Sequence, residues 1–229
     1  MDWDIIIEYA PRLLDGAWLT FKLILLSGTI GALLAVPLAF GRISESYWVR
    51  SIPYAYIFFF RGTPLLVQIF LVYYGLAQFE FVRDSALWPW LRQPWWCAII
   101  TFSLHTAAYI AEILRGALQN IPKGEVEACL TLGMSRLTMY RKVLLPRAFG
   151  MMIPAYGNEV ILMLKGSALA STITLLDLTG MARTIIARTY TPVEIFFAAG
   201  VFYLAISMLI MLLFSWFERR YNAHQRPVM

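Results

Sequence analysis

The sequence predicts an all-α integral membrane protein with five transmembrane helices, a single transmembrane domain over residues 1–229, an outside N-terminus and an inside C-terminus. Three observations carry that expectation. The chain is 60% hydrophobic and only 14% charged, with a mean hydropathy of +0.65, outside the range of soluble domains. Five apolar stretches recur, at about Trp18–Phe40, Tyr54–Phe79, Trp95–Leu118, Pro154–Ile173 and Val193–Phe217, each near the roughly 20 residues that cross a hydrocarbon layer. They are long and continuous rather than short and alternating, which selects helices over a barrel. The basic residues also fall on alternating sides. Arg42, Arg50, Arg115, Lys123, Arg136, Arg141, Lys142, Arg147, Arg219, Arg220 and Arg226 collect on one side, against Arg12, Arg83, Arg92, Arg183 and Arg188 on the other. The richer side is expected in the cytoplasm. A soluble helical core is excluded, because five such stretches leave too little polar surface.

Residues 1–16 read as a short amphipathic segment at the outer surface, capped by Asp2 or Asp4. The first span is too long for a removable signal peptide, and acidic residues precede it. The second span starts near Pro53 and carries Arg61-Gly62-Thr63-Pro64. An arginine inside an apolar run is costly unless it snorkels or serves a purpose, and proline removes a helical hydrogen bond. A break or hinge is expected there. Residues 79–94 suit an aromatic interfacial loop outside. In the third span, His105 and Glu112 lie seven residues apart, on one helix face. The fourth span starts with Pro154, Asn158 and Glu159, and turns bent or irregular near Thr172–Asp177. A partly helical return over 177–192 leads to the fifth span, anchored inside by Arg219 and Arg220.

Residues 120–150 form the polar interruption between two membrane stretches. A surface helix after Pro122, a left-handed stop at Gly133 and a second short helix capped by Ser135 are expected. The segment is longer and more charged than a simple link requires, so it reads as a cytoplasmic docking or coupling loop.

Several function classes drop out. The chain has no phosphate-binding glycine loop of the required spacing and no nucleophile–base arrangement, so it does not read as an enzyme. Cys97 and Cys129 fall near opposite faces and suggest neither a disulfide nor a metal site. The net charge of +5 follows from the cytoplasmic bias; its nearest partner is anionic lipid rather than nucleic acid. The residues alone leave three readings open: a powered permease, a membrane scaffold, and a carrier coupled to ions through Glu112 and Glu159.

Glu127-Ala128-Cys129, then Gly133, then Val143-Leu144-Leu145-Pro146 resembles the coupling-loop pattern of transmembrane permease subunits of ATP-binding-cassette (ABC) importers, with Cys129 and Val143 as departures of modest apolar size. Phe60–Leu65, Ala108–Ile113 with Arg115-Gly116, Pro154-Ala155-Tyr156 and Asn158–Ile161 resemble the polar amino acid branch and its HisM-like members. Tyr73–Glu80 with Leu87–Leu91 looks closer to arginine/ornithine permeases, and opine importers share much of this pattern. The resemblance covers essentially the whole chain. It implies the type I ABC importer permease fold and import of cationic amino acids (arginine or ornithine, with histidine and lysine alongside) across the bacterial inner membrane. It also implies three kinds of protein partner beside the membrane lipid that the charge suggests: a second homologous permease, a dimer of ATP-binding subunits, and a periplasmic amino acid-binding protein. ATP and Mg would bind the ATPase, with no cofactor in this subunit. Glu127, Ala128, Cys129, Gly133, Val143, Leu145 and Pro146 would form the coupling loop. Arg61, Glu112, Tyr156, Asn158 and Glu159 would line or gate the substrate path.

Overall fold

Apolar runs with internal backbone hydrogen bonding build a bundle that is entirely helical among the described residues, 3–221, of a computed structural model. Helix α1 (Trp3–Ile43) runs for 41 residues, about 60 Å at 1.5 Å per residue, which exceeds the roughly 30 Å hydrocarbon thickness. The expected separate amphipathic segment over 1–16 is therefore corrected: residues 3–16 are part of the first helix, which runs on through Pro11. Leu13 and Ala17 are buried against Leu178, Ala182 and Ile195. This packing holds the helix through the proline, whose missing N–H removes one helical hydrogen bond. Asp4 lies in the first turn of α1, while Asp2 and Arg226 lie outside the described residues.

Beside Leu13, Leu23 and Ile24, the buried face of α1 is small: Gly16, Ala17, Thr20, Ser27, Gly28, Gly31, Ala35 and Ala39. Such residues let helix backbones approach in lipid. At Gly31 an added Cβ would stand 3.0 Å from the Ser103 carbonyl oxygen of the third span.

Helix α2 (Tyr47–Gly62) stops at Thr63, which is extended, as residues before proline usually are. Helix α3 (Leu65–Phe70) then starts after Pro64 and continues through a π turn and a 3-10 turn to Gln78. The two halves bend by 104°, as the Arg-Gly-Thr-Pro run predicts. Short helices α4 (Glu80–Arg83) and α5 (Trp88–Leu91) lead to α6 (Pro94–Gln119), whose proline sits where its missing N–H costs nothing.

Helices α7 (Lys123–Thr131) and α8 (Arg136–Met139) are the two short helices of the polar segment. A π turn joins α8 to α9 (Leu145–Ser167). The fourth span therefore does not begin at Pro154, which sits inside α9. Buried Leu144, Ala148 and Met152 belong to the core, and that packing extends the helix backward through the polar run. A 3-10 turn and left-handed Thr174 produce the irregular stretch, then α10 (Leu178–Thr189) leaves at 49°. Helix α11 (Pro192–Tyr221) closes the described chain.

By length and composition three helices, α1, α6 and α11, can cross a membrane, or five spans result if each bent pair counts as one. Helices α1, α6 and α9 make the centre. Cys97 and Cys129 are both buried and free, in separate core clusters.

Candidate functional site

The break between α2 and α3 leaves carbonyl oxygens without helical partners. Gln68 meets them. Its amide Nε2 donates to Phe60 O at 2.9 Å, Thr63 O at 3.0 Å and Thr63 Oγ1 at 2.8 Å. Gln68 is 3% exposed, and a buried polar group left unpaired costs about 1–3 kcal/mol. Its carbonyl Oε1 lies 2.9 Å from His105 Nδ1 on α6. Gln68 thus helps tie the broken span to the third span. The sequence reading passed over Gln68; the available signal was a lone amide in an apolar run, five residues after Thr63.

Glu112 on α6 draws three arginines from three elements. Arg115 Nη2 lies 2.7 Å from Oε2, with its Nε 3.0 Å from both oxygens. Arg42 at the end of α1 lies 3.3 Å from Oε1, and Arg61 at the end of α2 lies 4.0 Å from Oε2. The carboxylate is more than compensated, so this cluster is cationic. Arg61 also stacks over Tyr109, 5.1 Å from the ring centroid, and its side chain remains 45% exposed. Arg42, Arg61, Tyr54, Tyr109 and Glu112 line an open groove of about 430 Å³.

Tyr109 also borders a smaller cavity of about 210 Å³ with His105, Thr106, Glu159, Leu65 and Met163. Glu159 is 6% exposed and stands on the inner face of α9. The other α9 candidates turn elsewhere. Tyr156 packs edge-on against Phe214 at 5.5 Å, and Asn158 is exposed. Of the five predicted path residues, Arg61 and Glu112 border the groove, Glu159 borders the cavity, and Tyr156 and Asn158 border neither; Tyr109, outside the five, lines both spaces.

The 123–146 segment has two faces. Cys129 and Leu144 are buried and Val143 and Leu145 half-buried, whereas Glu127, Ala128, Gly133 and Pro146 are exposed. Glu125 pairs with Arg147 at 3.3 Å, clamping α7 to α9. Gly133 holds φ +70°, and the Met134 amide donates to Cys129 O at 3.1 Å, a helix stop that favours glycine. Ser135 Oγ accepts from the Thr138 amide at 3.3 Å, capping α8. Beside these polar groups, Leu132 and Leu137 are 79% and 78% exposed. Among the described residues no group of three or more His, Cys, Asp or Glu could hold a metal ion.

Residues 27–223 match the family model described as "Binding-protein-dependent transport system inner membrane component". The chain is 47% identical to the octopine transport system permease OccM of Rhizobium meliloti, covering 94% of this chain and 90% of that protein. It is 44% identical to the nopaline permease NocM of Agrobacterium fabrum strain C58, covering 99% and 94%. With the histidine/lysine/arginine/ornithine permease HisM of Escherichia coli K12 the identity is 41%, covering 93% and 90%. Its structure is similar to a chain in a crystal structure of an amino acid ABC transporter with histidines, at a TM-score of 0.86 and 34% identity, covering 96% of this chain and 99% of that one.

Proposed function

The chain belongs to the binding-protein-dependent transport system inner membrane component family, and from that premise we propose that it carries arginine-bearing cargo, either arginine or an opine built on arginine, through the membrane. It is a non-catalytic permease subunit of an ABC-type amino acid importer, a multi-pass protein of the bacterial inner membrane. The scaffold and ion-coupled carrier readings give way to it. The higher identity to octopine and nopaline permeases than to the histidine/lysine/arginine/ornithine and arginine permeases favours the opine cargo over the arginine/ornithine one.

The observation that carries the cargo class is the pair of opposite charges flanking Tyr109. Arg61 borders the groove on one side, and Glu159 borders the cavity on the other. A guanidinium suits Glu159 through charge-assisted hydrogen bonds, and the carboxylates of an amino acid or opine suit the guanidinium of Arg61. Glu112 plays a different part: with its arginines it fixes the cationic rim.

Coupling runs through about 120–150, the proposed coupling loop of a single permease domain. Glu127, Ala128, Gly133 and Pro146 face outward to meet an ATPase subunit, while Cys129, Val143 and Leu145 turn toward the protein and hold the loop in place. A second permease, the ATPase dimer and a periplasmic binding protein complete the importer, and ATP hydrolysis on the ATPase biases the equilibrium between inward- and outward-facing states. The test is uptake by the reconstituted importer across octopine, nopaline, arginine, ornithine, lysine, histidine and glutamine. Arginine-bearing cargo is expected to be taken up best. A preference for glutamine, or for lysine or histidine with arginine excluded, would overturn the cargo assignment.

A further inference from the structure

The end of α1, the start of α2 and the end of α6 meet at the basic end of the bundle and frame a further open cavity of about 420 Å³, the size of a small-molecule site. Arg42, Arg50 and Arg115 line it with Tyr47 and Tyr54, and no Asp or Glu does. Two of the three guanidiniums are held in place. Arg42 donates from Nε to Glu112 Oε1 at 3.3 Å and lies over the Tyr54 ring, 5.0 Å from its centroid. Arg115 is held by Glu112 on one side and by Gln119 Oε1 on the other. One Glu112 carboxylate cannot neutralise both. Arg42 Nη1 and Nη2, and the whole exposed Arg50 side chain, have no hydrogen-bond or ion-pair partner among the described residues. The first turn of α2 carries no acidic residue and no side-chain cap, so its partial positive charge adds to theirs.

We infer that this cavity is a phosphate-binding site for the headgroup of an anionic phospholipid. A phosphodiester presents acceptor oxygens and no donor, and arginine forks pair with it bidentately. Soluble phosphate offers the same chemistry, but the surface of α2 favours the lipid. Beyond the cavity, Trp48, Ile52 and Phe58 are exposed aromatic and aliphatic side chains on that helix, and Phe58 stacks on Tyr54 at 6.2 Å between ring centroids. Charge at the start of the helix, then exposed apolar surface, follows the order of a phospholipid, headgroup first and chains after. Trp and Tyr are also the side chains of the membrane interface, and basic pockets between spans on the cytoplasmic side suit anionic headgroups. Phosphatidylcholine brings an ammonium group that the arginines repel, so the site selects phosphatidylglycerol. Arg42 and Tyr54 border both this cavity and the groove beside Arg61, so a bound anion offsets positive charge there. The site does not depend on which cargo is carried.

The experiment uses the assembled importer in nanodiscs. Native mass spectrometry measures the binding of phosphatidylglycerol and of phosphatidylcholine with identical chains, in the wild type and two variants. Arg50→Gln removes an exposed guanidinium that makes no hydrogen bond or ion pair among the described residues, so the fold and the Glu112 cluster stay intact. Arg220→Gln removes one from the last turn of α11, outside the cavity. The wild type is expected to prefer phosphatidylglycerol about tenfold. Arg50→Gln is expected to weaken phosphatidylglycerol binding about tenfold, the loss of one hydrogen bond between charged groups, and Arg220→Gln by less than about twofold. Equal losses in the two variants would show a general attraction of the basic end for anionic lipid and overturn the site. Inorganic phosphate separates the two sources. It is titrated calorimetrically into importer in nanodiscs of phosphatidylcholine alone. Phosphate binding that Arg50→Gln abolishes, without a preference for phosphatidylglycerol, would keep the phosphate site and overturn the lipid as its occupant. Neither a preference for phosphatidylglycerol nor phosphate binding overturns the inference whole. None of these readouts uses uptake, so a failed cargo assignment leaves them unchanged.

Discussion

Glu112 and Glu159 are both carboxylates in membrane helices, yet their surroundings assign them different work. Glu112 meets Arg115, Arg42 and Arg61. Glu159 forms no ion pair within 4.0 Å among the described residues and borders a cavity. Glu112→Gln strands guanidinium groups that converge on one carboxylate. The site is partly exposed, with 15% of the Glu112 side chain accessible, so a loss of about 1–3 kcal/mol is expected, between the surface and buried limits for ion pairs. It should be read as a lower melting temperature of the purified importer with KM for arginine nearly unchanged; a KM effect without a stability effect would reverse the two roles. Glu159→Gln should do the opposite. It keeps a hydrogen-bonding amide for helix packing but loses the charge, so KM for arginine is expected to rise about tenfold or more at equal complex yield. Uptake of arginine at the wild-type rate per assembled complex would remove Glu159 from the path, and equal losses for arginine and glutamine would make it a structural residue.

At the scale of elements, the polar segment between α6 and α9 behaves as a rigid attachment rather than a loose loop. The Glu125–Arg147 pair, buried Cys129 and the Ser135 cap hold it, and it offers Leu132, Leu137 and Glu127 outward. Gly133 is the point where both requirements meet. No atom lies within 4 Å of an added Cβ there, so the cost of a side chain comes from the left-handed backbone, about 1–2 kcal/mol, and from whatever packs on the exposed surface. Gly133→Arg is expected to abolish most co-purification of the ATPase while membrane insertion is retained, and Gly133→Ala to lose much less. Full ATPase recovery with normal uptake in Gly133→Arg would move the contact elsewhere. The motif was legible as a spacing, but not its division of labour. Cys129, Val143 and Leu145 turn toward the protein while Glu127, Ala128 and Gly133 turn away, because α7 lies on its neighbours along one face only.

For the whole molecule, the orientation is the remaining expectation. The ends of α1 and α6 and the segment 123–146 share the basic end of the bundle, with Arg42, Arg115, Arg136, Arg141 and Arg147, which the charge rule assigns to the cytoplasm. Ser85→Cys, between α4 and α5, is expected to react with an impermeant thiol reagent added outside intact spheroplasts, and Ser135→Cys to stay unlabelled. Both native cysteines are buried, so their background should be low. The reverse pattern would invert the importer and put 123–146 on the wrong side for an ATPase. The sequence by itself determined the helical membrane class, the broken second span and the two short helices of the polar segment. Each rests on local chemistry: long apolar runs, a proline after an extended residue, a glycine at positive φ and a serine cap. Only the tertiary structure decided that α1 runs unbroken through Pro11, that the fourth-span helix starts at Leu145, and that Gln68 closes the break onto His105. Those outcomes depend on residues distant in sequence. Leu178 and Ile195 pack beside Leu13, and Glu112 collects arginines from α1 and α2, through contacts that no local window contains.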